Sequence, residues 1–117
     1  MKLEHLTRET FKQKVFDFET NKAWKYEGTK PAIIDFYADW CGPCQRLIPI
    51  IDDMAKKYEG RANICKLDVD ASGDIAQKFG IMSIPTLLLF KDGQLVEKIV
   101  GLQSEEELTQ LVDNHLA

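Results

Sequence analysis

Cys41 and Cys44 are separated by two residues in Trp40-Cys41-Gly42-Pro43-Cys44, which sets two thiols one helical turn from each other. A dithiol at this spacing can close into a disulfide and open again at little geometric cost. The run Ile33-Ile34-Asp35-Phe36-Tyr37-Ala38 just before it reads as a buried strand of the continuous apolar kind found in parallel sheets. Residues 45–58 read as a helix. The amino terminus of that helix offers unsatisfied N–H groups and positive dipole potential, which favour a thiolate at Cys41. Lowering a thiol pKa from ~8.5 to ~7 corresponds to roughly 2 kcal/mol of preferential thiolate stabilisation. Cys41 precedes the helix and is the better nucleophile, while Cys44 sits one turn in and is more shielded. Attack of Cys41 on a second disulfide gives a mixed disulfide, from which Cys44 then releases the reduced partner.

Neighbouring residues bear on that chemistry. Pro43 fits the first turn of a helix and stiffens the loop that holds the sulfurs, which favours the disulfide and makes the reduced form a stronger reductant. Asp35 is the one charge in residues 33–38. In an apolar strand its carboxylate is desolvated, its pKa rises, and it can shuttle a proton to or from Cys44. Its structural alternative is a partly exposed aspartate at a strand end. Lys66 breaks an apolar pattern and is either the counter-charge to Asp35 or an edge-facing lysine. A zinc half-site is the competing use of the two thiols. It would need a second thiol pair or nearby imidazoles, but His5 and His115 lie at the chain ends and Cys65 stands alone, so no metal is expected. Cys65 reads as a small buried hydrophobe, with a regulatory thiol as the alternative. Trp24 and Tyr26 read as packing over a sheet edge, or as a patch for a partner.

The elements that must position these residues follow from periodicity. Residues 2–6 suit a short edge strand, and Thr7 suits an N-cap for a helix with Phe11, Val15 and Phe18 inward. Residues 16–30 are polar and hard to assign. In the helix after Cys44, Leu47, Ile50/Ile51, Met54 and Tyr58 recur at helical spacing, with Pro49 expected to kink it. Residues 64–69 form a strand and residues 72–79 a short helix ended by Gly80. Residues 86–90 form an apolar strand, joined through Asp92-Gly93 to a hairpin partner at 94–100. Ser104-Glu105-Glu106-Glu107 reads as a capping box, opening a last helix with Leu108, Leu111, Val112 and Leu116 inward. The order β-α-β-α-β-α-β-β-α requires a mixed sheet with helices on both faces, an α/β fold of five strands and four helices.

At 117 residues the expected organisation is a single domain over 1–117 with a real core. A net charge of −4 without a Lys/Arg cluster argues against nucleic acid. No apolar run approaches the ~18 residues of a membrane span, so no membrane is expected as a partner. No apolar leader stretch follows Met1, so the expected location is the cytoplasm, or an exported setting if a signal was removed upstream.

Taken together these residues resemble the thioredoxin family over most of the chain. Trp40-Cys41-Gly42-Pro43-Cys44 matches the family motif residue for residue. Asp35 falls six positions before Cys41, as the family's buried acid does. Pro49 matches its helix kink, Lys66 its lysine beside the acid, Ile84-Pro85 its cis-proline dipeptide, and Gly101 the glycine bordering its groove. The resemblance implies the thioredoxin fold and a protein-disulfide reductase, with Cys41 attacking, Cys44 resolving and Asp35 with Lys66 managing the proton. It implies a binding surface of Trp40, Gly42, Pro43, Ile84, Pro85, Gly101 and Leu102, where the Ile84 backbone pairs with an extended substrate segment. Pro85 against the sulfurs disfavours metal capture. No bound cofactor is implied beyond the redox-active Cys41–Cys44 disulfide, with electrons from a separate thioredoxin reductase and disulfide-containing proteins as substrates. A monomer is the expected state. An exported variant that reduces or reshuffles disulfides, and a redox-independent binding subunit, are the alternatives.

Three departures from the family pattern stand out. Tyr37 replaces a frequent tryptophan, and Gln45 replaces a frequent Lys or Arg after the second cysteine. Residues 16–30 make a segment about ten residues longer than in a minimal member of the family.

Overall fold

The computed structural model describes residues 4–7, 9–11, 30–92 and 94–116. In chain order the elements are β1 (Glu4–His5), β2 (Ala32–Tyr37), α1 (Gly42–Lys57), β3 (Asn63–Asp68), α2 (Gly73–Lys78), β4 (Thr86–Lys91), β5 (Gln94–Val100) and α3 (Glu105–Asn114). Residues 9–11 are also helical, with the Phe11 N–H donating to the Thr7 carbonyl at 2.9 Å. The body of the helix expected after Thr7 (with Val15 and Phe18), the segment carrying Trp24 and Tyr26, and Gly93 of the hairpin turn lie outside the described residues.

All six residues of β2 are buried, because it is the middle strand of the sheet order β1-β3-β2-β4-β5. It pairs in parallel with β3 and antiparallel with β4, and β4 pairs antiparallel with β5. The sheet is therefore mixed, as expected. Its fifth strand is only the two-residue β1, parallel to β3 at the edge, so four strands carry most of it.

Alternation along β2 sends its side chains into two separate cores. Ala32, Ile34 and Phe36 join Leu88 and Phe90 of β4, Ile75 of α2, Phe79 and Phe11. Phe79 meets Phe11, Phe36 and Phe90 edge-on at ring distances of 5.3, 6.3 and 5.9 Å, the arrangement aromatic quadrupoles favour. On the other face Ile33, Leu87 and Leu89 meet Leu47, Ile51 and Met54 of α1 and Leu108 and Val112 of α3. Each of these large side chains contributes about 1.5–3 kcal/mol by leaving water. Helices thus cover both faces.

α1 runs without a break through Pro49. Its inner stripe begins at Cys44 and continues through Leu47, Ile51 and Met54. Since that stripe packs on the face that carries Ile33, Cys44 lies at the end of the sheet where Asp35 and Tyr37 face the same way. Tyr58, just past α1, donates its hydroxyl to the Asp113 carboxylate at 2.7 Å and ties α1 to α3. The predicted capping box is present: Ser104 Oγ accepts from the Glu107 N–H at 3.1 Å, and the Glu107 carboxylate accepts from the Ser104 N–H at 3.1 Å.

Candidate active site

The polypeptide leaves β2 at Tyr37, turns through Ala38, Asp39 and Trp40, and enters α1 at Gly42, so Cys41 becomes the helix N-cap. Cys41 and Cys44 are joined in a disulfide with their Cα atoms 5.2 Å apart. The Cys44 N–H donates to Cys41 Sγ at 3.2 Å, so the sulfur already occupies the place of an N-cap acceptor. No acidic residue stands in the first turn of α1, while Lys56 and Lys57 occupy its last turn. The first turn thus holds no negative charge to compete with one on the sulfur, while the lysines complement the carboxy-terminal end of the dipole. Cys44 is wholly buried and Cys41 nearly so, which preserves the expected order of shielding.

Residues 83–86 approach the sulfurs, and Gly101 is tied to that segment. The Ile84–Pro85 peptide is cis, and the Ile84 carbonyl oxygen lies 3.8 Å from Cys41 Sγ. Thr86 Oγ1 closes that turn by donating to the Ser83 carbonyl at 2.7 Å. The Gly101 N–H donates to the Pro85 carbonyl at 2.8 Å, which brings Gly101 and Leu102 to the same rim. Gly101 has φ +95°, a conformation that L side chains rarely adopt. Trp40 is 71% exposed, Leu102 is exposed, and Gly42 and Pro43 face outward. Of the seven residues expected to form a binding surface, Trp40 and Ile84 line one groove, and Pro85 itself is buried. A groove of about 370 Å³ runs from Trp40 past Val69 and Ala76 to residues 81–84.

Beneath this surface Asp35 is fully buried, which excludes the partly exposed alternative. No described group donates a hydrogen bond to either carboxylate oxygen. Burial pushes its pKa up from 3.8 to about 7, and the nearby charge of Lys66 opposes the rise. Asp35 and Lys66 are register partners across β2 and β3. The Lys66 ammonium rests over the Tyr37 ring, 5.2 Å from its centre.

Sequence reasoning passed over Asp70 and Met82, and noted Gln45 only as a departure from the family pattern. Asp70 Oδ2 accepts from Trp40 Nε1 at 2.8 Å, and the Asp70 N–H donates to Asp68 Oδ1 at 2.8 Å, so an Asp-Val-Asp turn after β3 orients the exposed indole. The Asp-x-Asp spacing was the available signal. Gln45 donates to the Ala38 and Asp39 carbonyls at 3.4 Å each and braces the loop before Cys41. Met82, 96% exposed, stands at the groove rim and carried no signal in the sequence. Cys65 is buried in β3, away from the disulfide. Among the described residues no three His, Cys, Asp or Glu side chains gather as a metal site, and no helix is long and apolar enough to cross a membrane.

The family model for thioredoxin matches residues 2–114. Thioredoxins from Staphylococcus aureus strains Mu50 and MW2 are each 51% identical over 84 residues, spanning 72% of this chain and 81% of theirs. The chain belongs to the thioredoxin family. Members of the thioredoxin family are thiol–disulfide oxidoreductases that carry the redox-active disulfide in the protein itself, and this chain places its Cys41–Cys44 disulfide at the family's active-site position. Its activity is protein-disulfide reduction, and its substrates are disulfide-containing proteins.

Proposed function

We propose that this member of the family is a general dithiol reductant in which each site residue has a distinct task. The observation that carries the reading is the Cys41 sulfur held as N-cap of α1 by the Cys44 N–H. In the reduced protein that N–H and the helix dipole favour the Cys41 thiolate. The thiolate attacks a substrate disulfide, forming a Cys41–substrate bond and releasing the first substrate sulfur as a thiolate. Cys44 then gives up its proton, attacks Cys41 Sγ and forms the intramolecular disulfide. The second substrate sulfur leaves and takes a proton from solvent. Two electrons pass to the substrate, and the protein ends oxidised.

Asp35 receives the proton from Cys44. Its position on the face under the start of α1, and a pKa of about 7, support this role, since near neutrality the carboxyl exists in both forms. Lys66 keeps the ionised form accessible. Trp40, Gly42, Pro43, Ile84, Pro85, Gly101 and Leu102 form the docking surface. The Ile84 backbone beside Cys41 supports pairing with an extended segment around the substrate cystine. Electrons return from a thioredoxin reductase, and the protein works as a single-domain monomer in the cytoplasm. Insulin-disulfide reduction driven by candidate reductases tests this reading. Turnover with a thioredoxin reductase is expected, and turnover with dithiothreitol alone would leave the dithiol chemistry but remove the proposed electron source.

A further inference from the structure

Tyr37, one of the departures from the family pattern, lies within a row of polar groups that crosses three strands. His5 of β1 is the register partner of Lys66 of β3, which is in turn the partner of Asp35 of β2. In-register parallel pairs project their side chains to the same face, so His5, Lys66 and Asp35 form one line across the sheet. Tyr37 stands two residues beyond Asp35 and so shares its face. It packs among Ala38, Cys41 and Cys44. Its hydroxyl and His5 Nε2 share a hydrogen bond of 3.0 Å, and its ring carries the Lys66 ammonium.

The Asp35 carboxylate takes no hydrogen bond from that ammonium, so the two interact only through space. Lys66 has a long flexible stem and is half-buried, and solvent is open to it as an alternative. A contact that keeps it over the sheet therefore matters to Asp35. The Tyr37 ring provides that contact, and His5 pins the ring from the edge. We propose that Tyr37, anchored by His5, is a positioning residue that holds the Lys66 ammonium beside Asp35 and thereby sets the ionisation of the buried acid.

The other groups around Asp35 leave Lys66 as the main lever. β4 presents Leu87 in register, and the buried face of α1 presents Cys44, which the disulfide keeps from titrating in the oxidised protein, followed by Leu47, Ile51, Met54 and Ala55. Burial, and then the charges of Asp68, Asp39 and Asp35, hold the Tyr37 phenol above its ordinary pKa and therefore protonated. The proposal rests on the reading of Asp35 as the proton carrier for its functional meaning, but its physical content is separate.

The test follows the Asp35 carboxyl carbon by NMR across pH in the oxidised protein, comparing the native chain with His5→Ala, His5→Gln, Tyr37→Phe and Tyr37→Leu. Loss of a neighbouring cation raises a carboxyl pKa. The Asp35 midpoint is expected to rise by about half a pH unit in His5→Ala and Tyr37→Phe, and by more in Tyr37→Leu. His5→Gln, which can still bond the phenol, is expected to restore most of the native value. His5 is exposed, so its variants remain informative even where a core change at Tyr37 impairs folding. A midpoint unchanged in folded His5→Ala and Tyr37→Phe would overturn the proposal. The proton-carrier reading is judged separately: an Asp35→Asn protein with native pH-dependence of turnover would remove that reading while leaving the NMR result to decide this one.

Discussion

Asp35 is the residue at which burial and chemistry meet most directly. A buried carboxyl group with no hydrogen-bond donor among the described residues is an expensive thing to keep in a core, and its pKa near 7 records that cost. Replacing it with Asn retains the shape and removes the proposed proton acceptor. The resolving step in Asp35→Asn is expected to slow at least about tenfold at pH 7, measured by single-turnover release of a model substrate, and to lose its inflection near neutrality. In the proposed mechanism Pro43 acts on the equilibrium rather than the rate. Replacing it with Ala frees the reduced loop and is expected to move the midpoint potential about 10–20 mV toward positive values in a glutathione redox titration. Both tasks were open to inference from residue type and position. The Trp40–Asp70 and Tyr37–His5 bonds were not, since they join positions 30 and 32 residues apart that only the finished sheet brings together.

At the scale of elements, the short apolar runs located β2, β3 and β4 to within a residue or so, because middle strands exclude water on both faces, while the Asp92-Gly93 turn located the edge strand β5. The edge was harder to read: β1 is two residues long, and such a strand leaves almost no periodic signal. α1 starts earlier than its apolar spacing implied, at Gly42, because Pro43 and the N-cap sulfur begin the helix before its first inward leucine. α3 depends visibly on its local sequence. Removing its cap with Ser104→Ala leaves the Glu107 N–H without its acceptor, and denaturant unfolding is expected to show a loss of about 1 kcal/mol. Activity is expected to persist, since Ser104 lies outside the cluster of residues around the sulfurs.

For the whole molecule the buried acid ties stability to pH, and the sign is fixed by the direction of its shift. The folded-state pKa of Asp35 lies above its value of 3.8 in an unfolded chain. The folded state therefore binds the proton more tightly, and stability from this group is fully present below pH ~4 and lost as pH rises through about 7. A shift from 3.8 to about 7 corresponds to roughly 4 kcal/mol. Asp35→Asn is thus expected to match the native protein near pH 4 and to exceed its unfolding free energy progressively up to and beyond pH 7, by urea denaturation. The molecule keeps this destabilising group where the sheet and the start of α1 meet under one disulfide, with Ile84 packed beside it. The division of labour within that disulfide is the centre of the account, and trapping tests it most directly. Reduced Cys44→Ser protein, mixed with a disulfide-bonded substrate, is predicted to accumulate a covalent adduct at Cys41 that dithiothreitol releases, whereas Cys41→Ser protein accumulates none. An adduct that builds up through Cys44 in the Cys41→Ser protein, with none at Cys41 in the Cys44→Ser protein, would contradict it.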